Sequence, residues 1–283
     1  MSDTGALDAA YASVDGLQIG LRGPVLHLVL DRPSKRNALD DTMVTGLIGA
    51  IDAAGRDERV RCIVLAGAGD HFCGGADLVV RNATPPTADG AAPRRPRVGS
   101  IQRRVPSLAH RLIPLVASVQ VPVVCRVRGW AAGIGFHLAL AADFTVVADD
   151  ARLWEPFTER GFTPDSGGSW LVPRFVGTVR ARELLLLGRA LEGREAADWG
   201  VVHLAVPAER LDAEVAALVD RLSSGPTVAL GLTKWLLAAS PSASLDDQLQ
   251  NEALALELSS RTDDFREGLA AFRDKRPPSF EGR

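Results

Sequence analysis

The chain has 283 residues, a formal net charge of −3 at pH 7 and a hydrophobic fraction of 46%. This slightly acidic balance provides no overall basic field for nucleic acid, and the longest apolar region, residues 112–148, is interrupted by prolines and charges, which indicates a buried core and not a membrane span. The three cysteines match neither a disulfide framework nor a metal-ligand spacing. Because the first residues lack an export signal, we expect a cytoplasmic protein.

The first part of the chain alternates between strand and helix signals. Short apolar runs bounded by turn residues predict strands at residues 24–30, 60–67, 121–129 and 144–149. Asp40 precedes apolar residues at helical spacing, so we expect it to cap a helix. A second helix is expected over residues 100–118, and a glycine-rich turn leads into a third near Gly135. This alternation predicts an α/β core with right-handed crossovers.

Helices dominate the rest of the chain. Apart from a strand signal at residues 201–206, apolar and charged residues alternate at helical spacing, which predicts helices at residues 178–188, 207–224, 225–240 and 244–261. We therefore divide the chain into a core at 1–205 and a C-terminal helical region at 206–283. Residues 79–99 contain four prolines and no periodicity, and predict a mobile surface loop.

Two glycine-rich turns each follow a predicted strand, FCGGADL at residues 72–78 and GWAAGIGFHL at residues 129–138. Glycine leaves backbone amides accessible, and the second turn opens a helix whose positive dipole end attracts negative charge. Two converging amides form an oxyanion hole for a carbonyl oxygen that gains charge. The alternative is that these glycines only permit close packing of strand and helix.

Five segments in order resemble the crotonase, or enoyl-CoA hydratase/isomerase, superfamily: RPSKRNALD, FCGGADL, VRGWAAGIGFHLALAADF, GFTPDSGGSWLVPRFVG and AFRDKRPPSF. The resemblance covers residues 15–280. It implies a ββα spiral core and a helical region that assembles copies of the chain into trimers or pairs of trimers. It also implies an acyl-CoA substrate, with no cofactor beyond the coenzyme A of that substrate.

The resemblance implies roles for individual positions as well. The two oxyanion amides fall on Ala76 and on Ile134, where a side chain replaces a glycine but only the amide is required. The residues implied to contact coenzyme A are Lys35, Ala38, Gly74, Ala76, Asp77, Leu78 and Lys275. Both lysines correspond to cations near the coenzyme A phosphates.

Hydratases of this superfamily hold water between two glutamates, and the corresponding positions here are His137 and Phe157. Hydration is therefore not favoured, because phenylalanine can neither give nor take a proton. Isomerases of the superfamily use a carboxylate at the position of Asp165, and PDSGGSWLVPRFVG is closest to the ring-expanding epoxyphenylacetyl-CoA isomerases. We expect an enoyl-CoA isomerase in which Asp165 is the acid/base, in a pocket walled by Phe157, Phe162 and either Trp130 or Trp154.

The stretch TPDSGG at residues 163–168 has other interpretations. DSGG also surrounds the nucleophilic serine of trypsin-like proteases, but those are secreted, disulfide-bearing all-β proteins. We expect the Ser166 hydroxyl to hydrogen-bond the backbone of its turn. Asp165 is alternatively a helix cap. His137 either orients water or shares the proton, or is a hydrogen-bonded core histidine.

Two further functions remain open at this point. One is a hydratase or an acyl-CoA hydrolase in which His137 replaces a glutamate. The other is a catalytically silent member of the superfamily that binds coenzyme A or a protein partner. The presence of both glycine turns and a carboxylate favours an enzyme.

Overall fold

A computed structural model describes residues 4–77 and 98–283 of the chain. The strands are β1 (Leu17–Arg22), β2 (Val25–Leu30), β3 (Cys62–Gly67), β4 (Val123–Val127), β5 (Trp130–Ala132), β6 (Phe144–Ala148), β7 (Arg152–Trp154), β8 (Leu191–Glu192) and β9 (Leu204–Val206). The α-helices are α1 (Thr4–Ala10), α2 (Asp41–Ala54), α3 (Ser100–Arg104), α4 (Ala109–Ser118), α5 (Ile134–Ala141), α6 (Gly168–Leu187), α7 (Gly193–Asp198), α8 (Leu211–Ser223), α9 (Thr227–Ala239), α10 (Leu245–Ser259) and α11 (Asp263–Asp274).

The strands form a six-stranded sheet and a three-stranded sheet. The larger sheet has the order β1-β2-β3-β4-β6-β9, in which only the β1–β2 pair is antiparallel. Every residue of the central strand β3 is buried, as a parallel strand covered on both faces requires. The smaller sheet has the order β5-β7-β8. Strand β5 follows β4 after two residues and leads directly into helix α5, so the smaller sheet positions this helix.

The sequence signals explain the elements next to the candidate site. The Asp40 side chain accepts a hydrogen bond from the amide of Met43 at 3.0 Å and caps helix α2. The apolar face of α2 is buried against α4 and the first two strands. Helix α5 is buried along its whole length, which explains why it lacks an amphipathic pattern.

The predicted α/β core and the C-terminal helical region are confirmed. The helix predicted over residues 100–118 is divided, since a 3-10 turn at Val105–Ser107 separates α3 from α4. Pro106 lacks the amide that a continuous helix requires there. The loop predicted at residues 79–99 lies almost entirely outside the described residues. The division at residue 205 stays a prediction, although helix α8, which follows it, packs on strands β3, β4 and β6.

No helix in residues 4–77 or 98–283 is both long and apolar enough to span a membrane.

An ion pair between a buried lysine and a partly exposed aspartate joins the C-terminal helices to the sheet. Lys234 on helix α9 is 8% exposed, and its Nζ lies 2.6 Å from Oδ2 of Asp143, at the start of strand β6. The ammonium also donates to the carbonyl of Val116 at 3.1 Å, and Asp143 accepts from the amide of Val123 at 2.7 Å. Burial lowers the pKa of Lys234 and raises that of Asp143, while their attraction opposes both shifts.

Replacing Lys234 with methionine tests this pair. The substitution removes the cation from an Asp143 side chain that is 21% exposed, so the free energy of unfolding is expected to fall by about 1–3 kcal/mol. Urea denaturation measures this change. The matched control is Arg261→Met, which removes an exposed pair with Glu257 and is expected to change stability little. Equal changes in the free energy of unfolding for the two substitutions would contradict a role for the Lys234–Asp143 pair in stability.

Candidate active site

The first glycine-rich turn is held against strand β5 by main-chain hydrogen bonds. The amide of Cys73 donates to the carbonyl of Trp130, and the amide of Ala132 donates to the carbonyl of Cys73, both at 2.9 Å. A Cβ at Gly135 would lie only 2.6 Å from the Cβ of Cys73. Because no side chain fits at this approach, glycine at position 135 allows the start of helix α5 to lie against the first turn.

The second turn reverses the chain at Gly133, which has φ 51° and ψ −121°. Residues with a side chain rarely adopt this conformation. The amide of Gly133 donates to the carbonyl of Trp154 at 2.9 Å, which fixes the turn to strand β7. Helix α5 then begins at Ile134, whose amide is one of the first helical amides without an acceptor inside the helix.

The amide of Ala76 is directed by a bridge to Leu39. The amide of Leu39 donates to the carbonyl of Gly75, and the amide of Asp77 donates to the carbonyl of Leu39, both at 2.8 Å. In such a bridge the middle residue turns its own amide to the opposite side. The Ala76 amide therefore points away from residue 39. An oxyanion role for Ala76 and Ile134 stays a prediction.

Some of the residues predicted to contact coenzyme A lie together beside the first turn. Nζ of Lys35 and Nη2 of Arg32 each lie 3.0 Å from Oδ2 of Asp77. Nη1 of Arg32 donates to the carbonyl of Ala38 at 2.9 Å. The Lys35 side chain is 48% exposed, so its ammonium remains accessible to an anion.

The remaining predicted coenzyme A contacts are distributed differently. Gly74 is in the first turn, and its amide donates to the carbonyl of Arg36 at 2.6 Å. Lys275 is exposed and ends helix α11 in the left-handed conformation. Leu78 lies outside the described residues. Their contacts with coenzyme A stay a prediction.

Four side chains form a hydrogen-bonded chain that starts in the core. Oε1 of Glu155 lies 2.9 Å from Nε2 of His137, and Nδ1 of His137 lies 2.7 Å from Oγ of Ser166. The Ser166 hydroxyl donates to Oδ1 of Asp165 at 3.1 Å. Glu155 and His137 are 1% and 0% exposed, whereas Asp165 is half-buried. Asp165 is therefore the partly accessible carboxyl group among these four hydrogen-bonded side chains.

Burial raises the pKa of Glu155, the carboxyl group at the other end of the hydrogen-bonded chain. Desolvation raises the pKa of the Glu155 carboxyl above its usual value, the hydrogen bond with His137 opposes this shift, and the Asp165 charge adds to it. Oε2 of Glu155 is buried and has no hydrogen-bond partner among the described residues. Both observations favour the neutral carboxyl.

Different elements bring these side chains together. Glu155 follows strand β7, His137 lies one turn into helix α5, and Ser166 precedes helix α6. A Cβ at Gly168, the first residue of α6, would lie 2.3 Å from Nε2 of His137, so glycine permits α6 to start against the histidine. Nε2 of His110 donates to the carbonyl of Asp165 at 2.6 Å and anchors the turn.

Two interpretations of the TPDSGG stretch are corrected by these contacts. The Ser166 hydroxyl was predicted to bond the backbone, but it bonds Asp165 and His137, because the buried imidazole needs a polar partner. Helix α6 begins after Gly167, which provides no side-chain cap. Asp165 is therefore not the cap of this helix. His137 is buried with both ring nitrogens hydrogen-bonded, as its core interpretation predicted.

Aromatic rings cover part of the site. The ring of Phe157 stacks on His137, with centroids 5.9 Å apart, and contacts Phe162 edge-on at 5.4 Å. Trp130 and Trp154 instead contact each other, at 5.5 Å, and the indole of Trp154 donates to the carbonyl of Gly188. Positions 137 and 157, which the resemblance matches to the hydratase glutamates, are thus in contact with each other.

Glu155 was missed by the sequence analysis. A signal was present, because Glu155 follows Leu153 at the two-residue spacing of a strand, and both are buried. An acidic residue on the inner side of a strand requires a buried partner. The sequence offers no means of identifying His137 as that partner, since 18 residues and a strand pairing separate them.

Other reactive groups near the site are inert or dispersed. Cys73 is fully buried, and burial raises the pKa of its thiol to about 12, so it packs as a small buried thiol. No group of three or more His, Cys, Asp or Glu side chains in residues 4–77 and 98–283 is arranged to hold a metal ion.

Known proteins resemble this chain over most of its length. The family profile described as enoyl-CoA hydratase/isomerase matches residues 21–283. The 1,2-epoxyphenylacetyl-CoA isomerase of Escherichia coli K12 is 38% identical over 259 residues, covering 92% of this chain and 95% of the relative. A protein named probable enoyl-CoA hydratase from Rhodobacter capsulatus is 37% identical over 256 residues, covering 90% and 94%.

Solved structures also resemble this protein over most of its length. An enoyl-CoA hydratase from Polaromonas sp. JS666 superposes with a TM-score of 0.84 at 30% identity, covering 93% of this chain and 99% of that protein. The predicted ββα spiral core is thereby confirmed. These relatives include both isomerases and hydratases by name, so they do not distinguish the two reactions.

Substitution of Gly168 by alanine tests how closely the start of helix α6 packs against His137 and Glu155. The new methyl group must displace His137 or Glu155, so the free energy of unfolding is expected to fall by about 1–3 kcal/mol. The control is Gly49→Ala in helix α2, where a Cβ meets no described atom within 4 Å and alanine is expected to stabilise the helix by up to about 1 kcal/mol. Stabilisation by both substitutions in urea denaturation would contradict the close approach.

Proposed function

Because the chain belongs to the enoyl-CoA hydratase/isomerase family of the crotonase superfamily, we propose that it is an enoyl-CoA isomerase with Asp165 as its acid/base. One observation carries the proposal. Glu155 and Asp165 are the two carboxyl groups of the hydrogen-bonded chain, and Glu155 is 1% exposed. Asp165 is half-buried, and of the two it alone is accessible to a substrate.

The reaction needs only one such group. The Asp165 carboxylate removes a proton from the carbon next to the thioester carbonyl of a 3-enoyl-CoA, and the electron pair moves into a dienolate. The protonated Asp165 then returns the proton to the γ carbon, and the double bond moves next to the thioester. Proton and electrons balance without a cofactor, and the same group is base and then acid.

The dienolate oxygen requires stabilisation while it carries charge. The amides of Ala76 and Ile134 are the proposed donors. The Ile134 amide is at the N-terminus of helix α5, where the helix dipole favours a negative charge. Fixed backbone amides are effective here because they need no reorganisation during the reaction.

Coenzyme A recognition is proposed for the residues beside the first turn. Lys35 is exposed but held near Asp77, which presents its ammonium at a defined place for a phosphate. Lys275 provides a second cation, and the backbone at Ala38, Gly74, Ala76, Asp77 and Leu78 contacts the nucleotide.

Thioester hydrolysis is a second candidate. Glu155, His137 and Ser166 are connected in the order acid, imidazole, hydroxyl, as in serine hydrolases. In this reaction the Ser166 oxygen would attack the thioester carbonyl, His137 would take its proton, coenzyme A would leave as the thiol, and water would release the acid. The Ser166 hydroxyl, however, is buried and donates to Asp165, which favours isomerisation.

A homotrimer, alone or paired as a hexamer, is proposed as the assembly. Phe265, Leu269 and Phe272 on helix α11 are exposed at 40%, 57% and 86%. Their spacing of four and three residues places them on one face of the helix. Exposed apolar residues on one face are typical of an interface between protein chains.

Light scattering on the purified protein tests the assembly. A trimer has three times the chain mass of 30.0 kDa, and Leu269→Glu with Phe272→Glu is expected to shift the protein towards a monomer, since burying two carboxylates is unfavourable. A monomeric wild-type protein would contradict the proposal.

Asp165→Asn tests the catalytic assignment, because it keeps the shape of the side chain but removes the base. Double-bond migration in a 3-enoyl-CoA, followed by absorbance, is expected to slow at least about 100-fold. The matched control is Asp150→Asn, at an exposed position in the turn between strands β6 and β7, which is expected to retain activity.

The same assay separates the alternatives. Hydration of a 2-enoyl-CoA that survives in Asp165→Asn but is lost in His137→Ala would support a hydratase. Binding of coenzyme A without turnover of any acyl-CoA would support a catalytically silent protein. Either result would contradict the isomerase assignment.

A further inference from the structure

The Ser166 hydroxyl determines the direction of the whole hydrogen-bonded chain. A hydroxyl has one hydrogen, and Ser166 donates it to Oδ1 of Asp165 at 3.1 Å. The contact of 2.7 Å between Oγ and Nδ1 of His137 must then have the histidine as donor. His137 therefore carries a hydrogen on Nδ1.

The hydrogen on Nδ1 of His137 also constrains the contact with Glu155. A neutral imidazole with its hydrogen on Nδ1 has a bare Nε2, which can only accept. The contact of 2.9 Å between Nε2 and Oε1 of Glu155 is then made either by a protonated carboxyl and a neutral imidazole or by a carboxylate and an imidazolium. The neutral pair is favoured because both side chains are buried. Each donor in the chain points towards Asp165, from Glu155 through His137 and Ser166.

The surroundings of Glu155 favour its protonated, neutral form. The residue is 1% exposed, and its second oxygen has no partner in the part of the chain that the structure describes. Burial of a carboxylate with an unpaired oxygen is more costly than burial of the neutral acid. Desolvation accordingly raises the pKa of Glu155.

We propose that Glu155, in its protonated form, is a positioning residue that fixes the tautomer of His137 and thereby directs the Ser166 hydroxyl at Asp165. The inference rests on the proposed role of Asp165 as the acid/base. Because Oδ1 accepts the hydroxyl, Oδ2 is the oxygen that we assign to proton transfer with the substrate. A carboxylate held in one orientation keeps this oxygen in place between removal and return of the proton.

Ionisation of Glu155 reverses this order. Nε2 of His137 then carries the hydrogen and donates to the Glu155 carboxylate, while Nδ1 becomes an acceptor and competes for the Ser166 hydroxyl. The titratable groups that act on Glu155 are His137 on helix α5 and Asp165 before helix α6. Glu159 and Arg160, on its own segment, are exposed.

The pH dependence of kcat reflects the two protonation states of Glu155. Since burial raises the pKa of Glu155, the arrangement directed at Asp165 exists below this raised value. It is lost as the pH rises through it. The kcat of the wild-type enzyme is therefore expected to decline on the alkaline side.

Nitrogen-15 NMR of the histidine side chains tests the tautomer directly and does not depend on activity. Below the raised pKa of Glu155, His137 is expected to carry its hydrogen on Nδ1, and above it the hydrogen is expected on Nε2. In Glu155→Gln the amide donates to Nε2 at every pH, so the Nδ1 form is expected to persist. The His137→Gln variant identifies the signal among the five histidines of the chain.

Kinetics test the consequence. Glu155→Leu removes the donor and is expected to lower kcat about tenfold with KM within about twofold, because orientation and not binding is lost. Glu155→Gln is expected to restore kcat relative to Glu155→Leu and to abolish the alkaline decline. Glu159→Gln, at the exposed carboxylate nearby, is the control and is expected to retain the decline.

Specific outcomes would overturn the inference. An Nε2-bound hydrogen on His137 at every pH at which the wild type is folded, or an unchanged alkaline decline in Glu155→Gln, would show that Glu155 is only a structural anion. Thioester hydrolysis that is lost in Ser166→Ala would show that the Ser166 hydroxyl donates to His137 instead, as a nucleophile donates to its base. If isomerase activity is absent but the tautomer changes as described, the role of Asp165 fails and the positioning of Ser166 stands.

Discussion

The close approach of helix α5 to the first glycine-rich turn is the constraint on which the candidate site depends. A Cβ at Gly135 would lie 2.6 Å from Cys73, and one at Gly168 would lie 2.3 Å from His137. These glycines allow two helices to begin against the same small region. They thereby place the amide of Ile134 close to the first turn and the turn before α6 close to the imidazole.

The second feature is a polar chain built inside an apolar core. A buried glutamate and a buried histidine are costly alone, but each provides one hydrogen-bond partner for the other, and Ser166 connects them to Asp165. The two positions that the family resemblance matches to the hydratase glutamates hold an imidazole and a phenylalanine that stack on each other. The acidic groups of this site, Glu155 and Asp165, lie at other positions.

Much of the fold could be predicted from the sequence because its main strands are continuous apolar runs and helix α2 has a clear period and a cap. The three-stranded sheet could not, since strands of two or three residues carry no measurable period. Helix α11 was missed although its signal is present, since Thr262 caps it and Phe265, Leu269 and Phe272 recur at helical spacing. The backbone turns of the site were recognisable from their glycines.

The side-chain arrangement was less predictable than the turns. Asp165 was identified by its place in a family motif, but the partners of Ser166 depend on three elements that meet only in the folded chain. A hydroxyl bonds backbone or side chain with similar ease, so the local sequence does not decide between them. Glu155 shows the same limit, because its burial could be inferred from strand alternation but its partner could not.

The central claim is that Asp165 meets the substrate beside the thioester carbonyl. A crystal structure with a non-reactive 3-enoyl-CoA analogue tests this most directly. The account predicts a carboxylate oxygen of Asp165 within about 3.5 Å of the carbon next to the carbonyl, with the carbonyl oxygen bound by the amides of Ala76 and Ile134. An Asp165 side chain turned away from the acyl group, or a carbonyl oxygen bound elsewhere, would contradict it.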